Sequence, residues 1–147
     1  MKAPKQVAVR IALAALGIAG GPAGADQPCA PATLRGTYVF NATGWGTPPG
    51  STGLAPKALL EVLALNGDGT LSVPAATVAN RLGDGQIAAS PPGGTGQYNL
   101  DPTCTGTLSF TNGPSFNIVA SPKGDEFWLI QTTPGNVFQG VATRVPK

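Results

Sequence analysis

The sequence predicts an all-β fold, an eight-stranded antiparallel up-and-down barrel, with a two-sheet β-sandwich as the alternative. Three observations carry this. Runs rich in Val, Leu, Ile, Phe, Tyr and Thr recur at roughly 8–12-residue spacing, as in sandwiches and barrels. The 21 Gly and 15 Pro bracket these runs rather than scatter through them, as strand punctuation does. No window beyond the N-terminal segment shows a 3.6-residue apolar period.

The first strand is GTYVFNAT, residues 36–43, where Tyr38, Phe40 and Ala42 alternate with Thr37, Val39 and Asn41. That is the period of a half-buried strand. KALLEVLALN at 57–66 is the second. NGDG at 66–69 follows, with residues that tolerate positive φ and so close a hairpin. The third begins TLSV at 70 and extends to 80 across a kink at Pro74. TGQYNL (95–100), TGTLSF (105–110), SFNIVAS (115–121), EFWLIQT (126–132) and VFQGVATRV (137–145) complete the eight. QIAA at 86–89 is a short ninth candidate, which would break the even count. GTYVFN resembles GQYNLD, and DGTLSV resembles TGTLSF, but at irregular spacing, so the likeness is hairpin grammar and not a solenoid repeat.

Eight antiparallel strands put successive connections at opposite ends. NGDG, DPTC (101–104) and PKGD (122–125) are tight turns that share one end, the base. Connections 44–56, 81–94, 111–114 and 133–136 share the other, so both long ones rim a mouth. A barrel of eight strands is filled by its side chains or holds one small ligand.

The N-terminus carries a different signal. Lys2, Lys5 and Arg10 precede the apolar run IALAALGIA at 11–19, and Ala23-Gly24-Ala25 is a small-x-small exit. These are the parts of a secretory signal peptide, cleaved near Ala25. The apolar run is far short of the ~20 residues that span a bilayer. Residues 26–147 then form a single barrel domain, secreted or periplasmic, with no membrane span. The whole chain has nine Lys+Arg against seven Asp+Glu, a net +2. Loss of three basic residues leaves six against seven, so no basic excess argues for nucleic acid.

Cys29 precedes the first strand and Cys104 ends the DPTC turn, so both fall at the base. Two cysteines in a secreted chain favour a disulfide, the alternative being two free thiols. With no histidine in the chain, zinc lacks a usual ligand set and a thiol nucleophile lacks its base. The same absence removes Ser-His-Asp chemistry. No metal or cofactor is expected.

TLRGTYVF (33–40), NGDGTLSV (66–73), GTGQYNLDPTCTGTLSF (94–110) and DEFWLIQTTPGNVFQGVATR (125–144) together resemble a group of small secreted bacterial proteins of unknown function. The pattern is a cysteine shortly before a GTY strand, a hairpin built on a CTGT turn, and a closing pair of strands. The resemblance covers most of the mature chain. It implies a calycin-like or allene-oxide-cyclase-like barrel and brings no established activity or catalytic residues. A bacterial source would make the glycosylation sequence Asn41-Ala42-Thr43 a chance match.

The remaining chemistry rests on few residues. Glu61, in ALLEVLAL, either points inward, where burial raises its pKa and makes it a candidate acid or base, or points outward beside Leu59 and Leu63. Glu126 and Asp125 adjoin a turn, as solvated groups. NGDGT has part of a calcium-loop pattern, but Ala64 stands where a carboxylate would be needed and no bidentate Glu follows. Tyr38, Phe40, Tyr98, Phe110, Phe116 and Trp128 lie in strands, where aromatics form core. Trp45, in GWGTPPGSTG, sits in a loop at the mouth, where it would cap an apolar ligand or pack the loop. The candidate ligand contacts are Trp45, Tyr38, Phe40, Glu61 and Tyr98. The expected function is a non-catalytic barrel that binds a small apolar ligand or a surface partner. The alternatives are a barrel isomerase or cyclase with a convergent polar group such as Glu61, Asn41 or Tyr98, and a structural envelope or matrix module. The oligomeric state is not legible.

Overall fold

The computed structural model describes residues 28–47, 52–80, 87–88 and 93–146. The segment read as a signal peptide, residues 1–25, lies outside the described residues. A short 3-10 helix, η1 (Pro31–Leu34), precedes β1 (Gly36–Gly46), β2 (Ala55–Leu65), β3 (Thr70–Asn80), β4 (Ile87–Ala88), β5 (Gly94–Leu100), β6 (Thr105–Phe110), β7 (Ser115–Ala120), β8 (Glu126–Gln131) and β9 (Val137–Arg144). The sheet runs β2-β1-β9-β8-β7-β6-β5-β3, and β2 pairs again with β3, so eight antiparallel strands close on themselves. The sandwich alternative is excluded by that closure, which leaves no free sheet edge among the eight.

The ninth candidate exists and leaves the even count intact. β4 pairs only with the upper half of β3, through Val78↔Ala88 and Ala79↔Ile87. β5 takes the lower half of the same edge, through Val73↔Gly94 and Thr70↔Gln97, in a register one residue away. The two share one position in the wall, so no additional wall strand arises. Pro74 acts as the sequence suggests. Val62 pairs with Ala75 and Ala64 with Ser72, so β3 carries one extra residue there. A bulge is where a sheet tolerates proline, because no ladder N–H is needed. The bulge also keeps Leu71 and Val73 below it, and Ala76 and Val78 above it, on the interior side.

Alternating burial follows from closure. In β1, Tyr38, Phe40 and Ala42 are buried while Val39, Asn41 and Thr43 are exposed. The interior packs in layers, with edge-on contacts of Tyr38 with Phe127 (ring centroids 5.1 Å) and of Phe40 and Phe110 with Phe116 (6.0 Å each). Inward glycines let the walls coil tightly: a Cβ on Gly140 would strike the Asn41 carbonyl and Ala42.

The base is sealed by the N-terminal segment. Cys29 and Cys104 form a disulfide with Cα atoms 5.0 Å apart. Leu34 of η1 is fully buried. Asp101 organises the DPTC turn: its carboxylate accepts from the Thr103 and Thr105 amides (2.9 and 3.2 Å) and from both hydroxyls (2.6 and 2.8 Å). Asp68 repeats the device at NGDG, accepting from the Thr70 amide (2.9 Å) and hydroxyl (2.7 Å). These bonds hold both carboxyls below the ordinary aspartate value.

Candidate functional site

The two ends of the barrel are filled differently. Toward the base the inward positions carry Tyr38, Tyr98, Leu63, Leu65, Leu100 and Phe127, all buried. Toward the mouth they include Gly94 and Ala76, which leave space. The space is a cavity of about 240 Å³ lined by Leu59, Val73, Val78, Phe110, Phe116 and Phe138 among its apolar groups. Its polar groups come from Lys57, Glu61 and Gln131.

Glu61 is the unusual member. It pairs with Phe40 on one side and Ala76 on the other. It therefore shares the inward face of β2 with Leu59 and Leu63, and the outward alternative does not hold. Its Oε2 is buried and makes no hydrogen bond among the described residues. Burial pushes its pKa above the ordinary 4.5, and the nearby Lys57 ammonium partly opposes this. Lys57 itself places Nζ 5.1 Å from the centre of the Phe138 ring, a cation–π contact. A buried acceptor without a partner is destabilising and rare in native cores. A group retained in that state inside a cavity is a candidate ligand contact.

The pKa shift has a stability consequence. The folded state favours protonated Glu61, so its ionisation is penalised as pH rises above about 4.5 toward the raised folded value. Glu61→Gln is expected to raise the melting temperature near neutral pH. The gain should disappear below the ordinary carboxylate pKa, where Glu61 is neutral in both states. Thermal scans of the two proteins across that range measure it, and a pH-independent difference would contradict it.

The other candidate contacts lie elsewhere. Tyr38 and Tyr98 belong to the base. The Tyr38 hydroxyl donates to the Gly124 carbonyl (2.6 Å), and burial pushes its pKa up to about 12 against the opposing Arg144 charge. The Tyr98 hydroxyl donates to the Pro31 carbonyl (3.0 Å) and accepts from the Gly67 amide (2.9 Å). Both are ties between the barrel and its base turns. Phe40 is Glu61's cross-strand neighbour, packed beneath the cavity against Phe116. Trp45 is not in a loop: β1 continues through Gly46, and its ring is 51% exposed on the outer wall. The structure thus brings Glu61 and Phe40 together and leaves the other three apart. Lys57 and Gln131 were missed. Lys57 has the same strand parity as Glu61, and that was the available signal.

Comparisons of the chain with protein-family models, with curated proteins and with solved structures return no match. The class of protein shown is that of the fold: a closed, disulfide-bonded eight-stranded barrel with a cavity at one end.

Proposed function

We propose that the protein is a binding barrel that takes a small, mostly apolar ligand into its mouth, with Glu61 as the polar contact. One observation carries the reading: an unpartnered, buried carboxyl oxygen lies in a cavity walled mostly by aliphatic and aromatic side chains, with Lys57 and Gln131 as the other polar groups. Ligand sites have this composition, apolar walls with a few placed polar groups. The volume of about 240 Å³ is below the roughly 300–1,000 Å³ typical of drug-sized sites, so the ligand is small. Its polar group would accept a hydrogen bond from protonated Glu61 or present a donor to the carboxylate. The disulfide fits an oxidising compartment, secreted or periplasmic. The resemblance to small secreted bacterial barrels supports a calycin-like reading of the fold.

The test is native mass spectrometry on protein purified from its own source. The wild type is expected to carry a small-molecule adduct. Ala76→Trp, which fills the cavity, and Glu61→Leu, which keeps its shape, should both reduce that adduct. A bare wild-type mass, or an adduct unaffected by either substitution, would sink the reading.

A further inference from the structure

The outer wall carries a second concavity, on the side of the sheet facing away from Glu61. It spans β7, β8, β9 and β1, has a volume of about 520 Å³, and includes Trp128, Ile130, Asn41, Thr43, Asn117 and Gln139 in its lining. Register builds it as two rows. Val119, Trp128, Val141 and Asn41 are successive cross-strand partners, as are Asn117, Ile130, Gln139 and Thr43 one pleat above. With neighbouring strands about 4.8 Å apart, four strands span roughly 15 Å.

Two features define the chemistry of this patch. First, no Asp, Glu, Lys or Arg lines it. Second, the side chains of Asn41, Thr43, Asn117 and Gln139 make no hydrogen bond among the described residues. Around β5 and β6, by comparison, several outward polar side chains use one another. Asn99 accepts from the Thr107 amide and hydroxyl (2.7 and 3.0 Å), the Thr95 hydroxyl donates to that of Thr111 (3.0 Å), and the Ser109 and Ser115 hydroxyls bond at 3.0 Å. The groove keeps its hydrogen-bonding capacity open around an indole that is 48% exposed.

We propose that this groove binds a neutral oligosaccharide. A charged ligand would find no counter-charge in it. A purely apolar partner would bury four polar side chains without a partner, a desolvation cost that it could not offset. A sugar matches both halves. Its C–H face stacks on Trp128, where the ring supplies a large apolar surface. Its hydroxyls donate and accept, as do the amides of Asn41, Asn117 and Gln139. The length of the groove fits a short oligomer rather than a single ring.

The experiment titrates the full disulfide-bonded protein with cellohexaose, xylohexaose, mannohexaose and chitohexaose. Trp45→Phe removes the other exposed indole so that fluorescence reports on Trp128, and calorimetry follows the variants lacking Trp128. A saturable change with at least one oligomer is expected. Trp128→Ala, and Asn117→Ala combined with Gln139→Ala, should weaken it about tenfold or more, a loss of about 1.4 kcal/mol. Gln97→Ala, exposed on β5 and two strands from the groove, should leave it unchanged. Circular dichroism establishes that the variants are folded. Saturation with none of the four oligomers overturns the proposal, as does unchanged affinity in Trp128→Ala. Trp128-dependent self-association without sugar binding, seen by sedimentation, also overturns it and assigns the face to a second copy.

Discussion

Replacing Cys29 and Cys104 by serine is expected to lower the unfolding free energy by about 2–4.5 kcal/mol. The bond joins positions 75 residues apart, and the chain-entropy model gives ~4.5 kcal/mol for a loop of that length. Native contacts set the lower figure. Without the bond the N-terminal segment is still held by the Cys29 amide bond to the Pro102 carbonyl (3.4 Å), the burial of Leu34, and the bonds of Tyr98 and Arg144 to the Pro31 and Thr33 carbonyls. Urea midpoints of wild type and double variant measure the loss, with the reduced wild type expected to match the variant. Because Cys29 is buried, reduction should track opening of the base. A loss below about 1 kcal/mol would show that η1 and the tyrosine ties hold the base by themselves, against the expected range.

The second large effect is expected from Arg144→Ala. Arg144 ends β9 and reaches under the barrel. Its guanidinium donates to the Gly124 carbonyl (3.0 and 2.8 Å), to the Thr33 carbonyl (2.8 Å) and to the Arg35 carbonyl (2.8 Å). It also lies 5.2 Å from the centre of the Tyr38 ring. One side chain thus joins η1, the turn before β8 and the start of β1. Gly124 has φ 68° and approaches the Thr33 carbonyl too closely for any side chain, so the contact has no slack to absorb a replacement. A hydrogen bond to a charged donor contributes about 1.5–3 kcal/mol, and linked bonds are not additive. A loss of about 3 kcal/mol in total is expected. Arg144→Lys should recover only part of it, because an ammonium cannot reproduce the planar fork. Hydrogen exchange should show faster opening at residues 31–35 than at the mouth strands. Full recovery by lysine would mean that charge, not fork geometry, holds the base.

Most of the wall was legible because its code is local. β6 has the bounds its sequence suggests, Thr105–Phe110, since Asp101 and Pro102 before it and Asn112-Gly113 after it are turn chemistry. Base and mouth followed from strand parity, and the cysteine pair followed from the base. Trp45 was misread because Gly44 and Gly46 look like loop punctuation. In the barrel Gly44 lets β1 pass close to Val137 and Phe138 of β9, and the strand runs on through them. Glu61 was ambiguous for a different reason. β2 is apolar on both parities, with Leu59 and Leu63 on one and Leu60 and Val62 on the other, so alternation alone assigns no inward face. Its pairing with β1, where the alternation is unambiguous, makes that assignment.

The sequence by itself pointed to the all-β class, eight wall strands and the unlike ends, and it favoured the disulfide over free thiols. Each rests on interactions between near neighbours or on simple parity. Tertiary structure alone decided closure, through the pairing of β2 with β3, and with it which side of every strand faces the core. That choice put a carboxyl with an unpaired oxygen into a mostly apolar cavity and three amides around Trp128 on the wall outside. A side chain's chemistry depends on what it is buried against, and in a barrel that neighbour belongs to another strand.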